Sequence, residues 1–450
     1  LFILSGIFMQ KETFSFIILA AGKGTRMKSS NSKVLHKVAG EPIISLIINK
    51  ILSIKKKILI DKIVVVLGRD SQDIKSFIEE NFKGIKIVIQ HEQAGTADAV
   101  LSAKKIFRNY KNKIIILCGD TPLISSKLLL NLTTLGASFR LGLSGFKSLK
   151  PFGYGRIVLN SSKQVSSIIE EQNASASQKK IDLCNSGMYV SESKLLFSLL
   201  SKVKFNTKKR EMYLTDIIYL ANKDNIEIGI TYNDEIDSLG VNNREGLAMA
   251  EKEMQNILRK KAMEKGVTLI APETVFFSKD TKLARDVEIG PNVVFGPGVK
   301  IGEGVKIEAF CHLEGVTVKK HCTIGPFARL RPGTVLEESA KIGNFVEVKK
   351  SKINKGAKVN HLSYVGDSDI GEKVNIGAGV ITCNYDGVNK NKTTIGKKSF
   401  IGSNVSLVAP IKIGSNALIG AGSVITKDIP NNMLAVERNK QVTIKKRNKK

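Results

Sequence analysis

Residues 289–313 read IGPNVVFGPGVKIGEGVKIEAFCHL. In this stretch Ile289, Phe295, Ile301, Ile307 and Leu313 recur every six residues. The same step links Ile324, Leu330, Leu336, Ile342 and Val348, and again Ile395, Ile401, Leu407, Ile413, Ile419 and Ile425. A glycine often follows (Gly290, Gly296, Gly302, Gly325, Gly343, Gly396, Gly402, Gly414, Gly420), and four positions on stands a small or β-branched residue (Val293, Val299, Val305, Ala328, Thr334, Val346, Ser399, Val405, Ala417, Ser423). A helix repeats at about 3.6 residues and a strand at about 2, so neither produces this rhythm. It is the signature of a parallel β-helix with three short faces per coil. Each face sends one aliphatic residue inward, the aliphatics stack into a ladder, and the small residues fit the corners. The spacing alone leaves the handedness open.

The rhythm breaks between Leu313 and Ile324, and again between Val348 and Ile395. Breaks in a solenoid are expected to be insertions or loops, and these often carry function. The second break holds His361, Tyr364, Asn375, Asn384 and Tyr385.

Upstream the pattern changes. Residues 243–265 space Leu247, Ala250, Met254, Ile257 and Lys261 as a helix does, and Gly266 closes it. From Phe14 to Leu239, apolar, largely β-branched runs (Phe14–Leu19, Ile63–Leu67, Ile85–Ile89, Ile114–Leu117) alternate with amphipathic stretches (Ile43–Leu59, Ser71–Asn81, Thr96–Phe107). That alternation predicts βαβ units and a mainly parallel, Rossmann-like α/β sheet. Ligands of such sheets sit beyond the carboxyl ends of the strands. The expected organisation is a tail at 1–12, an α/β domain at 13–240, a linker helix at 241–266, a β-helix domain at 267–438 and a basic tail at 439–450.

Composition narrows the class. The chain has 450 residues, enough for at least two domains. At 42% hydrophobic and 25% charged residues it is an ordinary soluble globular chain, neither wholly disordered nor fibrous. Its apolar runs fall short of the ~20 residues of a membrane-spanning helix, so no membrane insertion is expected. The net charge of +29 raises the question of nucleic acid. Of the 70 basic residues 13 are Arg and 57 Lys, and Arg is the better bidentate phosphate and base reader. The lysines are dispersed, with a small cluster only at Lys445, Lys446, Arg447, Lys449 and Lys450. No nucleic-acid partner is therefore expected. Five cysteines (Cys118, Cys184, Cys311, Cys322, Cys383) form no CxxC pair, which fits a reducing cytoplasm. Leu1–Phe8 is apolar but lacks a basic n-region and a cleavage site, so a signal peptide is not expected and Met9 is a candidate start.

The first strand runs into Leu19-Ala20-Ala21-Gly22-Lys23-Gly24-Thr25-Arg26-Met27, followed by Lys33. This is neither a Walker A loop nor the dinucleotide fingerprint, because Met27 stands where a Gly is required. Its chemistry still suits an anion: glycines let backbone N–H groups approach closely, and Lys23, Arg26 and Lys33 add positive charge. Asp120 follows another apolar strand in a Gly-Asp step, where a carboxylate can hold Mg²⁺, an ion that takes few protein ligands and keeps phosphate oxygens and waters. Taken alone, the Gly-rich turn and Asp120 also fit a structural turn and a capping residue.

The motif LAAGKGTRM with Lys33 resembles the signature of nucleotide-sugar pyrophosphorylases. Further pieces agree: Gln90-His-Glu-Gln-Ala-Gly95-Thr96, Leu117-Cys-Gly119-Asp120, Gly153-Tyr-Gly-Arg156, Glu170, Asn185-Ser-Gly187 and Gly240-Val-Asn242-Asn-Arg. With the hexapeptide rhythm, which resembles the left-handed β-helix acyltransferases, the chain from Thr13 to Arg438 is similar to one family. This family is the bacterial bifunctional N-acetylglucosamine-1-phosphate uridyltransferases/glucosamine-1-phosphate acetyltransferases. The resemblance implies that Leu19, Ala20, Ala21, Gly22 and Lys33 hold UTP, with Gln90, Gly95 and Thr96 around the uracil. It implies that Gly153, Glu170 and Asn185 hold the sugar, and that Asp120 and Asn242 bind Mg²⁺. The family commonly has Tyr at the position of Cys118.

In the β-helix half, His361 lies in Asn360-His361-Leu-Ser-Tyr364-Val-Gly366. A lone histidine in a loop is ordinarily structural. The resemblance implies instead that it is the catalytic base, as do the neighbouring Asn375-Ile-Gly-Ala378-Gly, Thr382-Cys-Asn384-Tyr385-Asp-Gly, Arg329-Leu-Arg331-Pro-Gly and Asn344-Phe-Val-Glu347-Val-Lys349. A neutral imidazole can take the proton as a sugar amine attacks a thioester. By the same resemblance Arg331, Lys349, Tyr364 and Asn375 hold glucosamine 1-phosphate, and Ala378, Asn384, Tyr385, Ser403, Ala421 and Arg438 hold acetyl-CoA. Three cations meeting phosphates is sensible chemistry in its own right. A zinc site from His312, His321 and His361 is the rival, but these lie in different coils. The implied activity is acetylation followed by uridylylation to UDP-N-acetylglucosamine, a precursor of peptidoglycan and lipopolysaccharide, by a cytoplasmic homotrimer. Two alternatives stay open: a single-activity nucleotidyltransferase with a purely structural solenoid, and a nucleic-acid binder using the basic tail.

Overall fold

The computed structural model describes residues 12–107, 110–205 and 211–445. The apolar start with Met9, and Lys446, Arg447, Lys449 and Lys450 of the basic cluster, lie outside the described residues. Two compact units meet between Met254 and Gln255, inside a helix spanning Arg244–Glu264.

The first unit is built on one mixed nine-stranded sheet. Its strands are β1 (Thr13–Ala20), β2 (Leu59–Gly68), β3 (Lys86–Gln90), β4 (Lys113–Cys118), β5 (Leu141–Lys147), β6 (Arg156–Leu159), β7 (Val165–Ile169), β8 (Leu183–Glu192) and β9 (Ile228–Tyr232). The order is β9-β5-β8-β4-β1-β2-β3, with β6 and β7 attached through β8. Strands β3, β2, β1 and β4 are mutually parallel, whereas β8 runs antiparallel to both β4 and β5. Three of the four expected strands lie wholly within these, and the fourth, Ile85–Ile89, matches β3 except for Ile85. Their continuous apolar runs follow from burial on both faces: Phe16, Ile17 and Ile18 of β1 and Val64, Val65 and Val66 of β2 are fully buried. Parallel alignment brings the loops after β1, β3 and β4 to one edge.

Two helices are shorter than the amphipathic pattern predicts. The first spans Ile43–Ser53 rather than reaching Leu59. Its end tightens into i→i+3 bonds (Ile54 N to Ile51 O, Lys57 N to Ile54 O) through Lys55–Lys57, and Leu59 already belongs to β2. The helix at Thr96 stops at Ser102 and continues as a 3₁₀ turn over Lys104–Phe107.

The second unit is a three-sided solenoid with sheets of ten, eight and eight short parallel strands. One ladder reads Ile289, Ile307, Ile324, Ile342, Val359, Ile376, Ile401, Ile419 and Ala435 in register. The residues four positions on, such as Val293, Val305, Thr334 and Ser423, are buried at the corners as expected. The breaks differ from the expectation. Between Leu313 and Ile324 the chain only shortens one step to five residues, placing Val318 on the next ladder. From Val348 to Thr382 the coils continue through Ile353, Val359, Val365, Ile370 and Ile376, again with steps of five or six. Among the described residues the single larger excursion is the loop from Asn384 to Lys392, before the strand Thr393–Ile395. His361 therefore ends a regular strand, Lys358–His361, rather than sitting in an insertion.

The open edge of the first coil needs a cover, because unpaired strand groups are costly when buried. The C-terminal half of the Arg244–Glu264 helix supplies one. The Gln255 side-chain amide makes a two-way bond with the Phe277 backbone (2.7 and 2.8 Å). The Arg259 guanidinium donates to the carbonyls of Pro272, Glu273 and Val275, and Ala262 joins the solenoid core.

Candidate active sites

In the first unit the loops after β1, β3 and β4 close around a cavity of about 440 Å³ lined by Leu19, Ala20, Ala21, Gly22, Lys33, Gln90, Gly95, Thr96, Cys118, Gly119, Asp120 and Tyr213, among others. At one end Lys33 Nζ lies 2.6 Å from Asp120 Oδ2 and donates to Asn242 Oδ1 at 3.2 Å. Arg26 Nη2 reaches the same Asn242 oxygen at 3.3 Å. These residues are up to 216 positions apart, and the fold converges them: the Asp120 carbonyl accepts from Val241 N at 2.9 Å, which pins the Asn242 segment beside the end of β4.

At the other end Gln90 Nε2 donates to the Gly95 carbonyl (2.9 Å) and to Asp98 Oδ2 (2.7 Å), fixing the turn. Gly95 has φ of +106°, and a Cβ there would lie 2.5 Å from the Met212 carbonyl. Only glycine allows that approach. Met212 N bonds Ala94 O, Ala97 N bonds Met212 O, and Leu214 N bonds Thr96 Oγ1. The next residue, Thr215, donates to Glu170 Oε1 at 3.1 Å. Asn185 donates through Nδ2 to the Tyr189 hydroxyl at 2.9 Å, and Cβ-sized space at Gly155 is bounded by Glu170 and Asn185. Gly153 lies in a turn whose Cβ direction is open.

Cys118 lines this cavity near Gly187, with Sγ 3.5 Å from the Gly187 carbonyl. Burial pushes its thiol up to about 12, and the Asp120 carboxylate adds to the shift. It is therefore a neutral thiol at physiological pH and no nucleophile.

In the solenoid His361 stands at a corner where successive coils stack. Its Nδ1 donates to Asn344 Oδ1 at 2.7 Å, one coil earlier. With Nδ1 engaged in that bond, Nε2 is the ring's other nitrogen. Backbone bonds continue the column: Gly379 N to His361 O, Asn404 N to Ala378 O, and Gly422 N to Ser403 O. Ala421 precedes Gly422, and the Arg438 side chain passes within 3.8 Å of the Cβ direction of Gly422. So His361, Ala378, Ser403 and Ala421 stack one coil apart, and the Arg438 side chain comes up beside Gly422.

The sheet next to this corner carries Glu347, Tyr364 and Ile381 in register. Arg331 Nη1 pairs with Glu347 Oε1 at 2.8 Å. Asn384 Nδ2 donates to Asp367 Oδ2 at 2.5 Å, and a Cβ on Gly366 would collide with the Tyr364 hydroxyl and Asn384 Nδ2, at 2.5 and 2.9 Å. Lys390 on the excursion lies against Lys349, with Arg331 nearby; this crowding of cations pulls the Lys349 ammonium below its ordinary value. A cluster of like charges that repel is stabilised by a dianion. Tyr385 is exposed, its hydroxyl donating to the Gly387 carbonyl. Asn375 is in register with Lys358, three residues ahead of Ala378.

A nucleotidyl transferase family model matches residues 15–235, and a bacterial transferase hexapeptide model (six repeats) matches 280–315 and 392–427. The chain is 45% identical over 433 residues to the bifunctional protein GlmU of Zymomonas mobilis subsp. mobilis, covering 96% of this chain and 95% of the relative. It is 45% identical to the proteins of that name from Bartonella quintana (95% of each chain) and Paramagnetospirillum magneticum (97% of this chain, 96% of the relative). The chain belongs to the GlmU family. Its solenoid is accordingly a left-handed β-helix of hexapeptide repeats. The hexapeptide match skips 316–391, where steps of five residues and the excursion interrupt the spacing although the coils persist.

In this GlmU-family chain the structure gathers Leu19–Gly22, Lys33, Gln90, Gly95, Thr96 and Asp120 in one cavity and ties Asn242 to it through Lys33. Glu170 and Asn185 form a second group, joined to the first through Thr215 and Thr96. Sequence reasoning quoted Asn344 and Glu347 within a motif but gave them no role, and it missed Lys390. Asn344 precedes His361 by 17 residues, one coil, and that spacing is the signal that finds it.

Proposed function

We propose that this GlmU-family chain makes UDP-N-acetylglucosamine in two steps at two separate sites. In the solenoid the amine of glucosamine 1-phosphate attacks the thioester carbonyl of acetyl-CoA. The C–N bond forms, the C–S bond breaks and the sulfur leaves as the CoA thiolate, while His361 Nε2 takes the amine proton and passes it to that sulfur to give the CoA thiol. Asn344 engages Nδ1, so that Nε2 is the nitrogen assigned to the reaction. Arg331 and Lys349, joined by Lys390, suit the sugar phosphate, with Tyr364 and Asn375 at its sugar. The column Ala378, Ser403 and Ala421, with Arg438, Asn384 and Tyr385, suits acetyl-CoA. Backbone N–H groups of the corners are the available donors for the developing oxyanion.

In the α/β domain the phosphate of N-acetylglucosamine 1-phosphate attacks the α-phosphorus of UTP, and pyrophosphate leaves. Lys33 and Arg26 offset the charge of the two anions, and Gln90, Gly95 and Thr96 place the uracil. Gly153, Glu170 and Asn185 receive the sugar. Asp120 and Asn242 would hold Mg²⁺. The donor set fits it: a carboxylate and an amide oxygen both lie within reach of one cation, the Lys33 ammonium at 2.6 and 3.2 Å. The ion would neutralise phosphate charge and orient the leaving pyrophosphate. Among the described residues no group of three or more His, Cys, Asp or Glu is placed to hold a metal, so phosphate oxygens and water would complete its shell.

The chain assembles as a homotrimer through the solenoid in this reading, and works in the cytoplasm without nucleic acid. Among the described residues no helix is long and apolar enough to cross a membrane. The observation that carries the two-site reading is the His361–Asn344 bond beside the Arg331, Lys349 and Lys390 cations, which a purely structural solenoid has no use for. Chromatography of reactions lacking one substrate at a time tests it. Without acetyl-CoA, glucosamine 1-phosphate should yield no sugar nucleotide, and supplied N-acetylglucosamine 1-phosphate should restore it; product formation without acetyl-CoA would overturn the sequence of steps.

A further inference from the structure

His36 and Arg244 are used by neither reaction, yet both are held in unusual settings. His36 is 9% exposed, and its Nε2 has no hydrogen-bond partner. Arg244 is the first residue of the Arg244–Glu264 helix, whose start is capped by Asn243 Oδ1 accepting from Gly246 N at 2.8 Å. A cation in the first turn opposes the helix dipole, so the position gains nothing from the helix itself. Its side chain instead folds back. Arg244 Nε donates to the Met27 carbonyl at 3.2 Å, and Nη1 meets His36 Nδ1 at 3.5 Å.

Those two partners lie on either side of the phosphate-facing loop. Met27 ends the turn Thr25–Met27 that carries Arg26, and its side chain is buried. His36 closes the turn Lys33–Leu35, its N–H donating to the Lys33 carbonyl and its own carbonyl accepting from Ile43 N. Arg244 is two residues past Asn242, whose Oδ1 accepts from both Arg26 and Lys33. One guanidinium thus touches both flanks of the loop and belongs to the segment that brings in Asn242.

We propose that His36 and Arg244 form a positioning clip that sets Lys33 and Arg26 against Asn242 for uridylyl transfer. The pair requires a neutral ring, since an imidazolium has no acceptor for Arg244. Burial, and then the charge of Arg244, hold His36 below its ordinary value, which keeps it in that form. The clip acts on the phosphate end of the cavity and leaves the uracil end, fixed by Gln90 and Met212, untouched. The inference rests on the proposed assignment of that cavity to UTP.

The test uses the full chain with Arg244→Met, His36→Phe and His36→Asn. Asn offers an acceptor near the Nδ1 position, and Phe offers none. Arg244→Met and His36→Phe should each lower kcat for uridylyl transfer roughly 10- to 100-fold, the scale of a misplacement near 1 Å. Calorimetric titration should show UTP binding weakened while UMP, which lacks the outer phosphates, binds as in the wild type. His36→Asn should restore most of both. Acetyl transfer, measured on the same samples, should be unchanged and reports that the chain is folded. Loss of UMP and UTP binding in parallel would show a merely structural role, and so would failure of His36→Asn to restore what His36→Phe loses. Wild-type kcat in Arg244→Met would overturn the clip outright. A wild-type chain without uridylyl transfer would instead sink the assignment of the cavity.

Discussion

Replacing Asn344 by Ala separates holding a base from being one. In the structure Asn344 does a single thing for His361: its Oδ1 accepts from Nδ1 at 2.7 Å. A net hydrogen bond of this kind is worth about 0.5–1.5 kcal/mol. Converted at RT of about 0.59 kcal/mol, that is roughly a 2- to 13-fold loss in kcat for acetyl transfer, nearer the low end because the pair is exposed. Removing the base itself, in His361→Ala, should cost about 10²- to 10⁴-fold, or about 2.7–5.4 kcal/mol at 1.36 kcal/mol per tenfold. The two ranges do not overlap, so the measurement discriminates. The assay is release of CoA thiol at saturating acetyl-CoA, with uridylyl transfer as internal control. The double variant adds the decisive arm. Once the imidazole is gone Asn344 has nothing to orient, so Asn344→Ala should add no further loss in the His361→Ala background. An Asn344→Ala loss as large as that of His361→Ala would make Asn344 a direct participant. Additive losses in the double variant would refute the orienting role.

Asp120→Ala should abolish uridylyl transfer while acetyl transfer stays within about twofold, and calorimetry should show loss of Mg²⁺-dependent UTP binding; retained uridylyl transfer would move the metal elsewhere. A fragment ending at residue 240 lacks Asn242, Arg244 and Glu251, the last of which accepts from Ala39 N at 2.6 Å, and should be inactive, whereas one ending at residue 264 should uridylylate. Thermal melts across pH test His36. Its folded value is depressed below 6.5, so the stability it contributes is complete above 6.5 and lost as pH falls through the folded value. The melting temperature of His36→Asn should therefore gain on the wild type below pH 6.5, and a constant difference across pH would contradict this.

The solenoid was legible because its core enforces one inward aliphatic per face, and that constraint reaches the sequence directly. It was illegible where the constraint relaxes. A corner can drop a residue without leaving the ladder, as between Leu313 and Val318, and the eye then sees a break where the coil continues. At Thr382 the inward residue is polar, its hydroxyl accepting from Gly366 N at 2.8 Å, so the aliphatic rhythm vanishes while the packing persists. Strands of the α/β domain were visible for the same reason as the ladder: burial on both faces leaves unbroken apolar runs. Helix ends were not, because the pattern Ile43–Leu59 records burial and not the change of backbone at Ile54.

The sites were legible as motifs and not as contacts. Asp120 and Asn242 lie 87 and 209 residues from Lys33, and only the folded sheet brings them within hydrogen-bond distance of it. Lys390 left no signal, since a lysine among 57 is inconspicuous until the excursion after Asn384 places it against Lys349.

Two independent active sites on one chain, linked by a released intermediate, should complement each other when separated. Mixing the two inactivated variants tests it most directly. Asp120→Ala alone should convert glucosamine 1-phosphate only to N-acetylglucosamine 1-phosphate, and His361→Ala alone should make almost no UDP-N-acetylglucosamine from it. Together, with UTP, Mg²⁺ and acetyl-CoA, they should make the sugar nucleotide after a lag while the acetylated intermediate accumulates. Either variant making UDP-N-acetylglucosamine from glucosamine 1-phosphate at the wild-type rate, or the mixture making none, would rule out two independent sites.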